Sequence, residues 1–202
     1  FVDPDDWISL DAVQVLYERI LQDGSDMAVG DLVEVLADGS VQSGYYHLDN
    51  ALLNKEEALS RLGMARDIPC MAWNKLYRRI IFRYLRYEEI VRAEDTWMFP
   101  YLLDECKSIS LDSRILYYYY QRPDSIVHNS KDPEFLDSAA AAFHVAQFLL
   151  ERGFKKNAAV YINSAICQLH LVQDKKAARK LAATDINVRN GALLAIAKKL
   201  EE

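Results

Sequence analysis

Three carboxylates crowd the opening stretch Phe1-Val2-Asp3-Pro4-Asp5-Asp6-Trp7. Asp3 and Asp5 stand one residue apart. On a chain leaving a buried strand, which Phe1 and Val2 would end, that spacing can aim both carboxylates at one point. Hard oxygen ligands converging on a point suit Mg²⁺ or Mn²⁺, which keep waters and take phosphate oxygens as further ligands. The same composition also suits a plain acidic turn, since Asp and Pro are ordinary turn residues. Further along, Glu94-Asp95 precedes Trp97 and an aromatic-rich stretch. At a helix N-terminus the dipole and the free N–H groups favour an ionised carboxylate, and Asp95 is equally an N-cap there. Arg122 offers forked donors that match phosphate oxygens, and His128 offers a neutral imidazole, a reasonable ligand for Mn²⁺. Their plainer alternatives are an ion pair with an acid such as Asp124 and a solvent-exposed ring.

The elements that must position these groups alternate in type. Ser9 predicts an N-cap for a helix to about Gln22, with Leu10, Val13, Leu16, Tyr17, Ile20 and Leu21 as its apolar side and Gly24 as its stop. Strand-like residues 32–36, a turn at 37–40 and a returning strand over 41–48 follow. Asn54 and Glu57 form a capping-box pattern opening a short helix that ends near Gly63. In 68–79, Trp73, Leu76 and Tyr77 would pack, while Asn74 and Lys75 are the polar members and Lys75 reads by default as a solvated or snorkelling lysine. A helix is expected over 98–106, with Pro100 restricted to its first turns. Residues 107–111 and 114–121 read as two strands joined by a tight turn at Asp112-Ser113, and the four tyrosines at 117–120 alternate faces. From Asp132 the pattern turns helical: Asp132 and Pro133 open one helix that runs to Gly153, a second covers 155–172, and an alanine- and lysine-rich region follows over 174–200. His144 and His170, inside these helices, read as core or surface histidines.

Composition narrows the class. The 202 residues are 51% hydrophobic and 27% charged, a globular balance, and the formal net charge of −6 argues against a nucleic-acid backbone as partner. No apolar run approaches a membrane span. Cys70, Cys106 and Cys167 are scattered and odd in number, which fits buried thiols in a reducing cytosol, and no Cys/His spacing resembles a zinc site.

Four segments, in order, resemble family 2 glycosyltransferases: D-P-D-D-W at 3–7, W-N-K-L-Y-R-R at 73–79, Glu94-Asp95, and L-Y-Y-Y-Y-Q-R-x-x-S-I from Leu116. Pro4 replaces the usual serine, and Gln121 stands where many relatives have arginine. The resemblance spans Phe1 to about His128. It implies an α/β fold: residues 1–131 as the second, acceptor-side half of a GT-A (nucleotide-diphospho-sugar transferase) domain starting at its D-x-D strand, then an α-helical extension over 132–202. The nucleotide-binding half that precedes this strand in the family would be missing, leaving the fragment inactive by itself and prone to self-association. The activity implied is transfer of a sugar, with inversion, from a nucleotide-sugar donor to a glycan, lipid-linked or protein-linked hydroxyl acceptor, in polysaccharide or glycoconjugate biosynthesis. Carried over residue by residue, Asp95 is the catalytic base, Asp3 and Asp5 with His128 hold Mn²⁺ or Mg²⁺, Arg122 and Lys75 face the donor, and Glu94 and Trp97 face the acceptor. The Q-x-x-R-W motif and membrane helices of processive synthases are absent. The expectation is therefore a cytoplasmic enzyme, with the basic helical residues reaching the inner face of a membrane. The alternative is a non-catalytic acceptor-binding or interaction module of a larger transferase.

Overall fold

One strand, Ser108–Tyr120, carries most of the sheet pairing. In this computed structural model, which describes residues 1–43, 46–64, 68–87, 92–122 and 132–174, the chain order is β1 (Trp7–Ile8), α1 (Ala12–Asp23), β2 (Met27–Val35), β3 (Val41–Ser43), β4 (Ala51–Asn54), α2 (Lys55–Arg61), β5 (Lys75–Tyr77), a 3₁₀ turn (Arg79–Arg83), α3 (Glu94–Glu105), β6 (Ser108–Tyr120), α4 (Asp132–Glu151) and α5 (Lys155–Leu171). The described parts of 1–86 and 101–128 form one compact unit, and those of 87–100 and 129–202 a second.

The first unit holds a mixed six-stranded sheet. β2 runs parallel to β6 along its whole length, from Met27↔Ile109 to Val35↔Tyr120. On the other side of β6, β4 pairs antiparallel with its first half and β1 with its second. β5 and β3 pair antiparallel with the two ends of β2. β2 is buried almost throughout, as expected for a central strand covered on both faces. Ala12, Val15, Leu16 and Ile20 of α1 pack with Ala28 and Leu116.

Several local expectations change once these partners are in place. β6 is a single strand, not a hairpin. Both halves of it pair with β2, so the chain cannot reverse at Asp112-Ser113. The irregularity is absorbed as a bulge, where Gly30 pairs with Asp112 but Asp31 with Ile115. Inside the bulge the Asp112 carboxylate accepts from the Arg114 backbone N–H at 3.0 Å and from its guanidinium at 2.9 and 2.8 Å. α1 begins at Ala12, without a side-chain cap, and Ser9 Oγ donates instead to Asp11 Oδ1. Its buried side is also rotated from the expected one: Leu10, Val13, Tyr17 and Leu21 are exposed. The helix carries two adjoining apolar stripes, and the sheet takes the one with the smaller Ala12. Phe1 and Val2 do not end a buried strand; both are exposed, and Phe1 meets Tyr77 and Phe82 edge-on. The returning strand after the 37–40 turn is described only as Val41–Ser43, α3 starts four residues before Met98, and β4 and β5 were not anticipated. The capping box forms as read, with Asn54 Oδ1 accepting from Glu57 N and Glu57 Oε2 from Asn54 N, both at 2.9 Å. Gly24, at φ +65°, supplies the left-handed end of α1.

In the second unit, α4 packs on α5, Ala142, Phe143, Ala146, Leu149, Ala158 and Ile162 are buried, and Gly153 at φ +85° separates the two helices. The expected third helical region beyond Asp174 lies outside the described residues. Of the three thiols only Cys106 is fully buried; Cys167 is exposed, against the expectation of buried cysteines. Among the described residues no helix is long and apolar enough to cross a membrane.

Candidate functional site

Residues 3–6 close a turn, in which Asp6 N donates to Asp3 O at 3.2 Å. Long-range bonds fix that turn to the end of β6. Tyr117 Oη donates to Asp6 Oδ2 at 2.7 Å and accepts from Asp3 N at 3.1 Å, while Tyr120 N donates to Asp6 Oδ1 at 2.8 Å. Tyr117 is fully buried and stacks on Trp73, with ring centroids 4.2 Å apart and planes within 11°. Burial raises the pKa of the phenol, and the ionised Asp6 it faces acts in the same direction, so Tyr117 is a neutral hydroxyl. Burial also raises Asp6, with its hydrogen bonds to Tyr117 and Tyr120 pulling the other way. The tyrosine run alternates as read: Tyr117 and Tyr119 face Trp73, whereas Tyr118 and Tyr120 face Trp7.

This clamp presents Asp5 to Arg122. Arg122 Nε lies 3.0 Å from Asp5 Oδ2, with the arginine side chain 50% exposed and the aspartate 30%, so the guanidinium pairs with the acidic turn. The structure thus brings Asp3, Asp5 and Arg122 together in the first unit, with Asp3 exposed. Asp6, which sequence reasoning did not single out, is their anchor. A third acid beside an alternating tyrosine strand was the signal for it.

Lys75 is neither solvated nor snorkelling. It is 5% exposed, and its ammonium donates to Met71 O at 2.6 Å, Asn74 Oδ1 at 2.7 Å and Trp73 O at 3.4 Å. Pairing of β5 with the central strand β2 carries it inside. Asn74, at φ +58°, brackets Gly30: its Nδ2 donates to Gly30 O at 2.6 Å and its carbonyl accepts from Gly30 N at 2.9 Å. Lys75 lines a largely apolar cavity of about 110 Å³ with Phe1, Val2, Val13, Leu76 and Leu116.

In the second unit, Glu94 and Asp95 occupy the first turn of α3, both half-buried, and Trp97 N donates to the carbonyl of Ala93 at 3.0 Å. Trp97 stacks on His144 of α4, with centroids 3.8 Å apart and planes within 9°. The helical period around His144 gave no hint of that partner. His128 lies outside the described residues. Among the described residues no group of three or more His, Cys, Asp or Glu side chains is arranged to hold a metal. Asp6 is engaged by Tyr117 and Tyr120 and Asp5 by Arg122, so the acidic turn would offer a metal at most the carboxylates of Asp3 and Asp5. Mg²⁺ and Mn²⁺ accept such a short protein donor set when phosphate oxygens and waters complete the shell.

No family model matches the sequence. The chain is 32% identical over 139 residues to the glycosyltransferase GlyA of Streptococcus pneumoniae serotype 4, a match that takes in 62% of this chain and 19% of that protein. The chain therefore spans about a fifth of that relative (19%). Among solved structures, S. aureus TarS superposes with a TM-score of 0.64 at 14% identity, covering 97% of this chain and 35% of that one. S. aureus TarS 1–349 in complex with UDP-GlcNAc superposes with a TM-score of 0.55 at 16% identity, covering 100% of this chain and 66% of that one. The mixed α/β sheet with its helical C-terminal part is a fold shared with TarS.

Proposed function

We propose that this protein is a family 2, GT-A-type glycosyltransferase that moves a sugar from a nucleotide-diphosphate donor to a hydroxyl acceptor with inversion, in polysaccharide or glycoconjugate biosynthesis. The observation that carries this reading is the acidic turn held beside Arg122, since carboxylates of this kind would suit a metal and a guanidinium would suit phosphate oxygens. The similarity to GlyA supports the same reading.

The chain's own groups divide the work. Arg122 offers two parallel N–H donors to diphosphate oxygens and compensates their charge. Asp5, with Asp3, would hold Mn²⁺ or Mg²⁺, which when bound neutralises charge on the departing diphosphate. Asp95 takes the proton from the acceptor hydroxyl as that oxygen bonds to the anomeric carbon and the bond to the diphosphate breaks, one displacement that inverts the centre. Trp97, stiffened by His144, gives an acceptor sugar a flat apolar surface, and Glu94 accepts one of its hydroxyls. Lys75 supports the site indirectly, by tying Met71 and Asn74 to β5.

UDP-GlcNAc, the ligand of the TarS 1–349 structure, is the first donor to assay. In the intact protein, Asp95→Asn should leave donor affinity unchanged and lower kcat by roughly 10²–10⁴-fold, the usual range for loss of a general base. Near-full turnover in that variant would make Asp95 only a helix cap.

A further inference from the structure

We propose that residues 78–86 form a docking surface for an anionic membrane, with arginines set against the lipid headgroups and Ile80 and Tyr84 among them. The stretch reads Arg78-Arg79-Ile80-Ile81-Phe82-Arg83-Tyr84-Leu85-Arg86, with four arginines and no acid, in a chain whose formal net charge is −6. A local excess of positive charge against the sign of the whole chain marks a surface that attracts anions. Neither the patch nor its test depends on the reaction proposed above.

The 3₁₀ turn at Arg79–Arg83 sorts these side chains into two sets. One set anchors the turn to the sheet. Arg78 N donates to Asp26 O and Arg78 Nε to Ser25 O, both at 2.8 Å, and the same guanidinium lies 3.9 Å from the Asp26 carboxylate. Ile81 is buried, and the Phe82 ring meets Tyr77 of β5 edge-on with centroids 5.3 Å apart. The other set faces out. Ile80 is 62% exposed and Tyr84 81%, and Arg79, Arg83 and Arg86 are exposed with them. None of these three arginines forms an ion pair among the described residues. Arg86 donates to the carbonyls of Phe82 and Leu85, and the Arg83 guanidinium lies 5.2 Å from the centre of the Tyr84 ring. Their charges therefore meet no carboxylate.

An aliphatic side chain and a tyrosine ringed by uncompensated guanidiniums match the boundary between headgroups and acyl chains. Tyrosine rings collect at that depth, and cations there meet lipid phosphates. A soluble polyanion would engage the arginines and leave Ile80 in water, so the exposed apolar pair favours the membrane.

Co-sedimentation of the intact protein with vesicles of phosphatidylcholine, with and without added phosphatidylglycerol, tests this. Wild type should pellet with the anionic vesicles only, and added salt should release it. Arg79→Gln and Arg83→Gln should each lower the partition coefficient roughly five-fold, the weight of one basic residue near an anionic surface. Ile80→Ser with Tyr84→Ser should also bind the vesicles more weakly, while its binding to inorganic polyphosphate in solution should match that of wild type. Circular dichroism should show every variant folded, because each replaced side chain is exposed. Equal pelleting with both vesicle types, no pelleting with either, or unchanged binding by folded Arg79→Gln and Arg83→Gln overturns the proposal. Full vesicle binding by the Ile80→Ser, Tyr84→Ser variant makes the patch a polyanion site and overturns the membrane as its partner.

Discussion

At Tyr117 a single hydroxyl serves two segments, donating to Asp6 and accepting from Asp3 N. Tyr117→Phe keeps the stack on Trp73 and removes both bonds, so urea unfolding at neutral pH should show a loss of about 1–3 kcal/mol, the cost of stranding a partly buried acceptor. The pH dependence has a definite sign. The Tyr117 bond lowers the Asp6 pKa against the larger effect of burial, so its loss raises the folded pKa further above the unfolded value. A carboxyl with a raised folded pKa withdraws stability as pH rises through that value. The penalty of Tyr117→Phe should therefore be full at neutral pH and shrink as pH falls into the ordinary carboxylate range. Thiols give a second check at this scale. Burial pushes Cys106 up to about 12, with Asp26 adding to the shift, while Cys167 is exposed. A thiol reagent at mildly alkaline pH should label Cys167 at once and reach Cys106 only after unfolding. Composition was enough to mark the acidic turn as a candidate site. It could not mark Asp6 as the anchor, because Asp6's partner lies 111 positions away and nothing local distinguishes Tyr117 from its three tyrosine neighbours. Lys75 was misread for the same reason, since its neighbours in sequence do not show that β5 docks on a central strand.

Elements pair where the chain is most closely fitted, at the β2–β6 bulge. A Cβ added at Gly30 would stand 2.6 Å from Leu116 Cδ1 and 3.0 Å from Leu116 Cβ, and Leu116 is itself buried. Gly30→Ala should thus lower stability by about 1–3 kcal/mol through overpacking, read as a lower denaturant midpoint at unchanged slope. The Gly24 end of α1 and the capping box of α2 were legible because each depends on residues a few positions apart, whereas the starts of α1 and α3 were not. Nor was the bulge. Asp112-Ser113 has the chemistry of a tight turn, and only a partner strand some eighty positions earlier forbids the reversal. The choice between the two apolar stripes of α1 was likewise made by Leu116, outside the helix.

Across the whole molecule, the sheet layout and the helical C-terminal part are what the chain shares with TarS, at 14–16% identity. The order of the four motif-like segments gave the α/β class, whereas the placement of each strand depended on pairings between distant residues. That dependence has a consequence for the order of events on the ribosome. The acidic turn is synthesised well before its partners, since the bonds that shape it come from Tyr117 and Tyr120, up to 114 residues later. At about 5–20 residues per second, roughly 6 to 23 seconds of elongation separate the two. Through that interval the nascent chain carries its aspartates unshaped. The turn can only be completed after β6 has emerged, so the cation and diphosphate affinity proposed for it would arrive together with the closed sheet and not before it.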